Sequence, residues 1–330
     1  MPSNRAVPAL ADFDVVRVYA LPMRNKFRGI TVRCGVLLHG PAGWGEFCPF
    51  EDYTDSQSVP WLCTALESCT TEWPEPVRTS IPVNCTVPAV PPEQAAAIVS
   101  ASGCTTAKVK VAEPGQSPGE DVERVAAVRQ ALGPRGAIRV DANAAWDPDE
   151  AVRRIRELDR AANGLEYVEQ PCRELTELAA VRRKVDVRIA ADESIRRAED
   201  PLRVAVAEAA DVAVIKATPL GGVRRALQVA EACGLPCVVS SAVESSVGLA
   251  AQLALAGALP ELPFACGLGT AALLDGDLVA DCLLPVNGQL PVPRRAPEPD
   301  PKLVAAATPP TEVRQRWLDR LRRVHALLDS

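Results

Sequence analysis

From residue 81 onward, short apolar runs alternate with longer stretches whose apolar residues recur every three or four positions. The short runs are IPVNCTVPAV, TAKVKVA, AIRVDAN, LEYVEQP, VRIAADES, DVAVIKAT, PCVVSSAVE and FACGLGT, and each predicts a strand. The stretches between them predict helices: PEQAAAIVSAS, EDVERVAAVRQALG, PDEAVRRIRELDRAAN, ELTELAAVRRK, PLRVAVAEA, VRRALQVAEACG and SVGLAAQLALAGAL. Eight strands alternating with seven helices over about 190 residues is the sequence form of a parallel α/β barrel. Asp147 before Pro148 forms an N-cap and first-turn pair, and Gly133 and Gly234 stand where helix C-caps fall. An open doubly wound sheet would carry a glycine-rich phosphate turn after its first strand, and CTVPAVPPEQ has none.

The flanks follow other patterns. FDVVRVYAL and ITVRCGVLL alternate as strands, GPAGWGE supplies a turn, and residues 56–72 predict a helix burying Trp61, Leu62, Ala65, Leu66 and Cys69. Residues 1–80 therefore read as an α+β unit, residues 81–284 as the barrel, and residues 285–330 as a returning segment. That last segment is proline-rich and then predicts an amphipathic helix with Val313, Trp317, Leu321, Val324 and Leu328 on one face, packed against the opening unit. Its arginines read as a solvated face.

Composition removes several function classes. A net charge of −6 with 4% aromatic residues excludes a nucleic-acid footprint. No apolar run is long enough for a membrane span, and the N-terminus lacks the apolar core of a signal peptide. The eleven cysteines are odd in number and form no CxxC pair, and most read as small buried hydrophobes of a reducing, cytoplasmic compartment. His39 and His325, the only histidines, lie far from every strand-end motif, so acid–base work falls to lysines or carboxylates. No long apolar edge appears, which fits a monomer.

Five polar residues close successive strands: Lys110, Asp141, Glu169, Asp192 and Lys216, with gaps of 31, 28, 23 and 24 residues. Each gap is about one strand plus one crossover helix, so all five would stand at the open end of the barrel. A lone acid there is ordinarily a loop ion pair or a helix cap, but five in this order in consecutive units point to a site. Three acids on adjacent strands could converge on one hard cation, for which all-oxygen ligation suits magnesium. The lysines would flank a small carboxylate substrate bound there, a layout for proton abstraction beside a carboxylate. Period-2 geometry puts Lys108 on the face of Lys110, where its charge would depress the pKa of Lys110. It likewise aligns Arg139, Asp141 and Asn143. Glu193, beside Asp192, would support the site.

With Lys-x-Lys, Asp-x-Asn, Glu-Gln-Pro, Asp-Glu-Ser and the sixth-strand lysine in place, the chain resembles the enolase superfamily, muconate-lactonizing-enzyme subgroup. The resemblance runs from the N-terminus through the eighth strand. It implies a modified (β/α)7β TIM-type barrel under an α+β capping domain formed by both chain ends. It further implies Asp141, Glu169 and Asp192 as ligands of Mg2+, with Mn2+ as a substitute, and Lys110 and Lys216 as catalytic amines. NKFRGI at 25–30, RVDANAAW at 139–146, VSSAVESSVG at 239–248 and CGLGT at 266–270 are most similar to the o-succinylbenzoate synthases of actinobacterial type. Those enzymes dehydrate a succinyl-hydroxycyclohexadiene carboxylate to 2-succinylbenzoate in menaquinone synthesis. The resemblance implies Lys110 as base and then acid, with Lys216 stabilising the enediolate. Arg139 would orient substrate near the ring and cap, and Asn143 would support the metal site. Arg28 would close over the substrate, and Ser240, Ser241, Gly267 and Leu268 would receive the succinyl tail. An N-succinylamino acid racemase would use the same five residues and stays open here, as do a cycloisomerase and a non-catalytic barrel. Dipeptide epimerases are disfavoured, because CGLGT offers no eighth-strand aspartate.

Overall fold

A computed structural model of the chain describes residues 13, 15–196 and 208–328. The sequence-based helix over residues 201–209 and the N-terminal stretch 1–12 fall wholly or mostly outside the described residues. The chain opens as an antiparallel sheet in the order β1 (Val15–Phe27), β2 (Ile30–Gly40), β3 (Gly43–Phe47). Phe27 pairs with Ile30, so Arg28 and Gly29 alone make the first turn. Both have positive φ, 49° and 80°. This is the two-residue hairpin geometry whose twist matches the strands it joins.

Helix α1 (Asp55–Thr70) starts on a capping box, in which Thr54 and Gln57 satisfy each other's backbone N–H groups. As its periodicity predicts, it buries Trp61, Leu62, Ala65, Leu66 and Cys69. Strand β4 (Ser80–Pro82) then leads into the barrel. In chain order follow β5 (Cys85–Val87), α2 (Pro92–Ser102), β6 (Thr106–Lys110), α3 (Pro118–Leu132), β7 (Ala137–Asp141) and α4 (Pro148–Ala162). Next come β8 (Tyr167–Glu169), α5 (Leu175–Arg182), β9 (Ile189–Ala191), α6 (Glu193–Arg196), β10 (Val212–Ile215) and α7 (Ala217–Leu220). Helix α8 (Val223–Cys233), β11 (Cys237–Val239) and α9 (Ser246–Ala258) complete the alternation. Ser117 and Asp147 cap α3 and α4, while Gly103 and Gly234 end α2 and α8 in the left-handed conformation.

The seven strands form one parallel sheet, ordered β11-β10-β9-β8-β7-β6-β5. The eighth apolar run curls between its two edges. Cys266 N–H donates to Pro82 O at 2.7 Å, and Asn84 N–H donates to Cys266 O at 2.9 Å. Gly267 N–H donates to Val239 O at 2.8 Å, and Ser241 N–H donates to Gly267 O at 3.1 Å. Tyr167, Ala190, Val212, Val214 and Val238 pack inside the sheet against Phe264, while a larger core fills the space between strands and helices.

The returning segment is more ordered than its prolines suggest: β12 (Gln289–Pro291) pairs with β4, and α10 (Pro301–Ala306) follows. The last helix, α11 (Thr311–Ala326), sends Trp317, Leu321 and Val324 into one cluster with Phe47, Leu62 and Trp61 of the opening unit. Its arginines do not all face water. Arg320 is buried and donates to Phe50 O, Tyr53 O and Ser58 Oγ. No helix among the described residues is long and apolar enough to cross a membrane. None of the eleven cysteines is in a disulfide.

Candidate active site

Parallel register levels the strand-end groups. Lys110 pairs with Asp141, Asp141 with Glu169, and Glu169 with Ala190, two residues before Asp192 on the same face. Lys216 directly follows β10. The sheet order therefore places Lys110 on one side of the three acid-bearing strands and Lys216 on the other. All five side chains are buried. Lys110 Nζ donates to Asp141 Oδ2 at 2.5 Å and to Asn143 Oδ1 at 2.7 Å. Lys216 Nζ donates to Asp192 Oδ2 at 2.6 Å. Lys108 Nζ bridges both Glu169 oxygens at 3.0 and 3.1 Å and lies 3.3 Å from Asp141 Oδ2. The two lysines of β6 thus share one carboxylate oxygen, as their common strand face predicts.

The pocket above these groups is walled by loops and by the opening unit. Ser240, Ser241 and Gly267 line it, with Asn143 and Arg28. A Cβ on Gly267 would sit 2.5 Å from Ser240 Oγ and 3.1 Å from its Cβ, so a larger residue there would force Ser240 to shift. Arg28 reaches the pocket from the hairpin tip and lies 4.5 Å above the Phe50 ring. Glu193 accepts from Asn143 Nδ2 at 3.2 Å.

Four expected residues do not line the pocket: Glu169, held on Lys108, Glu193, bonded to Asn143, and also Arg139 and Leu268. Arg139 lies one strand layer below Asp141, level with Lys108 and Tyr167. Its guanidinium donates to Glu166, to Asn84 Oδ1 and to Ala265 O, and lies 4.7 Å over the Tyr167 ring. It braces the barrel floor and lines no part of the pocket, because a two-residue step along a strand is a whole layer of depth. Leu268 is fully buried beside the wall and does not line the pocket.

Sequence reasoning missed Phe27, Phe50, Trp61, Thr86, Pro219, Ala242, Val243 and Thr270, which also line the pocket. Phe27 lies in the quoted NKFRGI segment, and its ring centroid is 5.0 Å from Lys110 Nζ. Thr86 is paired with Lys108 in register, and its buried Oγ1 has no hydrogen-bond partner. The strand run CTV carried that signal, since Thr86 is the polar position of an otherwise apolar strand.

The enolase C-terminal domain-like family model matches residues 92–297, and the enolase N-terminal domain-like model matches residues 18–69. The chain belongs to the enolase superfamily. The o-succinylbenzoate synthase of Thermobifida fusca (strain YX) is 65% identical over 278 residues, covering 84% of this chain and 87% of that protein. The o-succinylbenzoate synthase of Mycolicibacterium smegmatis is 51% identical, covering 98% of this chain and 100% of that protein. Among solved structures, the muconate lactonizing enzyme of Pseudomonas fluorescens superposes with a TM-score of 0.76 at 22% identity, covering 88% and 97% of the two chains. Within the superfamily the chain thus stands with the o-succinylbenzoate synthases, which are hydro-lyases. Enzymes of this superfamily use a divalent metal.

The electrostatics of this enolase-superfamily site bear on such a metal. Among the described residues, no group of three or more His, Cys, Asp or Glu side chains is clustered to hold a metal ion. Each of the three acids accepts from an ammonium: Asp141 from Lys110, Glu169 from Lys108 and Asp192 from Lys216. Burial opposes charge on Lys108, yet Glu169 and Asp141 outweigh it and hold the amine well above the ordinary lysine value. Burial also opposes charge on Asp141, but Lys110 and Lys108 outweigh it and hold the carboxyl well below its ordinary value. Glu169, the middle acid, differs. Burial, then the neighbouring charges of Asp141 and Asp192, push it up to about 7 despite Lys108. Lys108 answers two acids, whereas Glu169 must share it and also faces two like charges. Glu193 is raised as well, by burial and then by Asp192 and Asp141. Four buried acids thus face three buried lysines. An all-oxygen donor set in which acids crowd one another suits a hard divalent cation.

Proposed function

We propose that the chain is an o-succinylbenzoate synthase, dehydrating 2-succinyl-6-hydroxy-2,4-cyclohexadiene-1-carboxylate to 2-succinylbenzoate, a step of menaquinone synthesis. The observation that supports this mechanism best is the sheet order, with a lysine strand on each side of three consecutive acid-bearing strands. The eleven cysteines, none in a disulfide, support a reducing cytoplasmic setting.

Asp141, Glu169 and Asp192 would hold the cation, for which Mg2+ is the proposal and Mn2+ the substitute. When bound it supplies Lewis-acid stabilisation of negative charge on the substrate carboxylate. Lys110 acts as the base. Its amine removes the proton α to the carboxylate, and the resulting ammonium returns that proton to the departing hydroxyl, so one water leaves and the ring becomes aromatic. Asn143 Oδ1, 2.7 Å from Lys110 Nζ, orients the amine for both transfers. Lys108, on the same strand face, is a firmly charged ammonium that bridges Glu169 and Asp141 and holds both carboxylates in place beside Lys110. Lys216 stays protonated and meets the enediolate charge from the opposite side of the ring. Arg28 and Phe27 at the hairpin tip shield the reacting face from water, while Ser240, Ser241 and the Gly267 backbone receive the succinyl tail.

The test is steady-state dehydration of the cyclohexadiene substrate by wild type, Lys110→Ala and Lys216→Ala. Each variant should keep its circular dichroism spectrum and lose about 10²–10⁴-fold in kcat. Substantial residual turnover in either variant refutes the role given to that lysine, and an inactive wild type refutes the reaction.

A further inference from the structure

The wall between β11 and α9, residues 240–245, carries a backbone strain. Val243 has a φ of 61°. The left-handed region is an outlier for a β-branched residue, and such a conformation persists only where surrounding contacts over-determine it. Here those contacts are present. Val243 N–H donates to Ser241 Oγ at 3.2 Å, and Ala242 N–H donates to Glu244 Oε2 at 2.8 Å. The carbonyls of Ala242 and Val243, which flank the Val243 Cα, are both claimed by one side chain from the opening sheet. Arg33 of β2 donates through Nε to Val243 O at 3.0 Å and through Nη2 to Ala242 O at 3.1 Å. The same Nη2 also donates to Cys48 O.

Arg33 is only 2% exposed. A buried guanidinium is costly; its three carbonyl partners neutralise no charge, and the buried Glu244 and Glu46 carboxylates act on it electrostatically. Its faces are also occupied: the guanidinium carbon lies 4.4 Å over the Phe50 ring and 5.9 Å from that of Trp61. Phe50, Trp61, Ala242 and Val243 all line the pocket. One cation, itself outside the pocket lining, therefore touches four pocket-lining residues drawn from the opening unit and from the barrel. Arginine alone can do this, because its planar fork offers several fixed donors while its faces stack.

We infer that Arg33 is a positioning residue for substrate specificity: it holds the Ala242–Val243 wall against Phe50 and Trp61 and so sets the pocket width available to the substrate's tail. The inference rests on the proposed reaction for the identity of that tail, but the wall's dependence on Arg33 does not. Binding the tail requires the wall in place, whereas proton transfer by Lys110 does not involve it. Loss of the fork should therefore act on KM more than on kcat. A glycine at position 243 adopts positive φ without help, so it should weaken the dependence on Arg33.

The experiment uses the full chain with Mg2+, as wild type, Arg33→Met, Arg33→Lys and Val243→Gly, and as the double variant Arg33→Met with Val243→Gly. Amide hydrogen exchange of the peptide spanning residues 240–246 and steady-state kinetics are read in parallel. Arg33→Met should speed exchange in that peptide by about tenfold or more relative to the barrel strands. It should raise KM about tenfold while kcat changes less than about threefold. Arg33→Lys, which keeps charge and loses the fork, should fall between, and it serves as the folded control if methionine lowers solubility. In the Val243→Gly background the KM penalty of Arg33→Met should shrink below about threefold. Unchanged exchange at 240–246, a kcat-only loss, or an equal penalty in both backgrounds overturns the inference. An inactive wild type would sink the proposed reaction alone, since the exchange measurement still decides the role of Arg33.

Discussion

Replacing Arg124 by methionine measures how firmly the end of the Lys110 strand is held. Arg124, on α3, is 1% exposed. It donates to Val90 O at 2.7 Å, to Lys110 O at 3.0 Å and to Asp121 Oδ1 at 2.7 Å, and it also bonds Gln116. Asp121 is itself buried, and its other oxygen accepts from Ala112 N–H at 2.9 Å. Ala112 has a φ of 58°, so the chain turns sharply just past Lys110 and is pinned there by the same pair. Methionine would fill much of the space and supply no donor. It would leave Asp121 as a buried carboxylate without its cation, a loss of about 3–5 kcal/mol. Against an ordinary stability of about 5–15 kcal/mol, that is a large share. The assay is urea unfolding followed by circular dichroism and tryptophan fluorescence. Adding Asp121→Asn removes the stranded charge and keeps an acceptor for Ala112, so the double variant should recover about 1–3 kcal/mol over Arg124→Met alone. A loss under about 1 kcal/mol for the single variant, or a double variant no more stable than it, would refute the reasoning.

Thr86→Val keeps the shape of a buried side chain whose hydroxyl has no partner. Stability should stay within about 0.5 kcal/mol, while KM should rise about tenfold if that hydroxyl bonds the substrate. An unchanged KM excludes the contact. EDTA should abolish dehydration and Mg2+ restore it, as seen by following product absorbance; full activity after exhaustive chelation would remove the cation from the mechanism. The hydrogen bond from Arg323 at 2.7 Å holds the Asp55 carboxyl below its ordinary value. Charged Asp55 therefore stabilises the fold above about pH 3.9, and the gain is lost as pH falls through the lower folded value. The pair is largely exposed, so Asp55→Asn should cost only about 0.5 kcal/mol at pH 7. A cost that grows on acidification would contradict that sign. Deuterium incorporation at the α-carbon of N-succinylamino acids, read by NMR, should be negligible if the enzyme is a dedicated synthase.

Much of this protein is determined by short-range pattern alone. Apolar runs and helical periodicities set the β/α alternation, because burial of one face is a local property of a strand or helix. The order lysine, three acids, lysine could be read for the same reason, since a parallel alternating sheet turns chain order into spatial order. The tertiary structure decided what no period encodes. The depth of Arg139 depends on inter-strand register, which puts it a layer below the acids and against Glu166. The pocket roof depends on where a hairpin tip, α1 and Phe50 dock, and that docking is set by packing between segments hundreds of residues apart. The arrangement around Arg33 belongs to the same class: its partners Ala242 and Val243 lie some 210 positions along the chain. Nothing in the run ITVRCGVLL marks its arginine as buried, because the carbonyls that hold it become neighbours only when the opening sheet closes on the barrel.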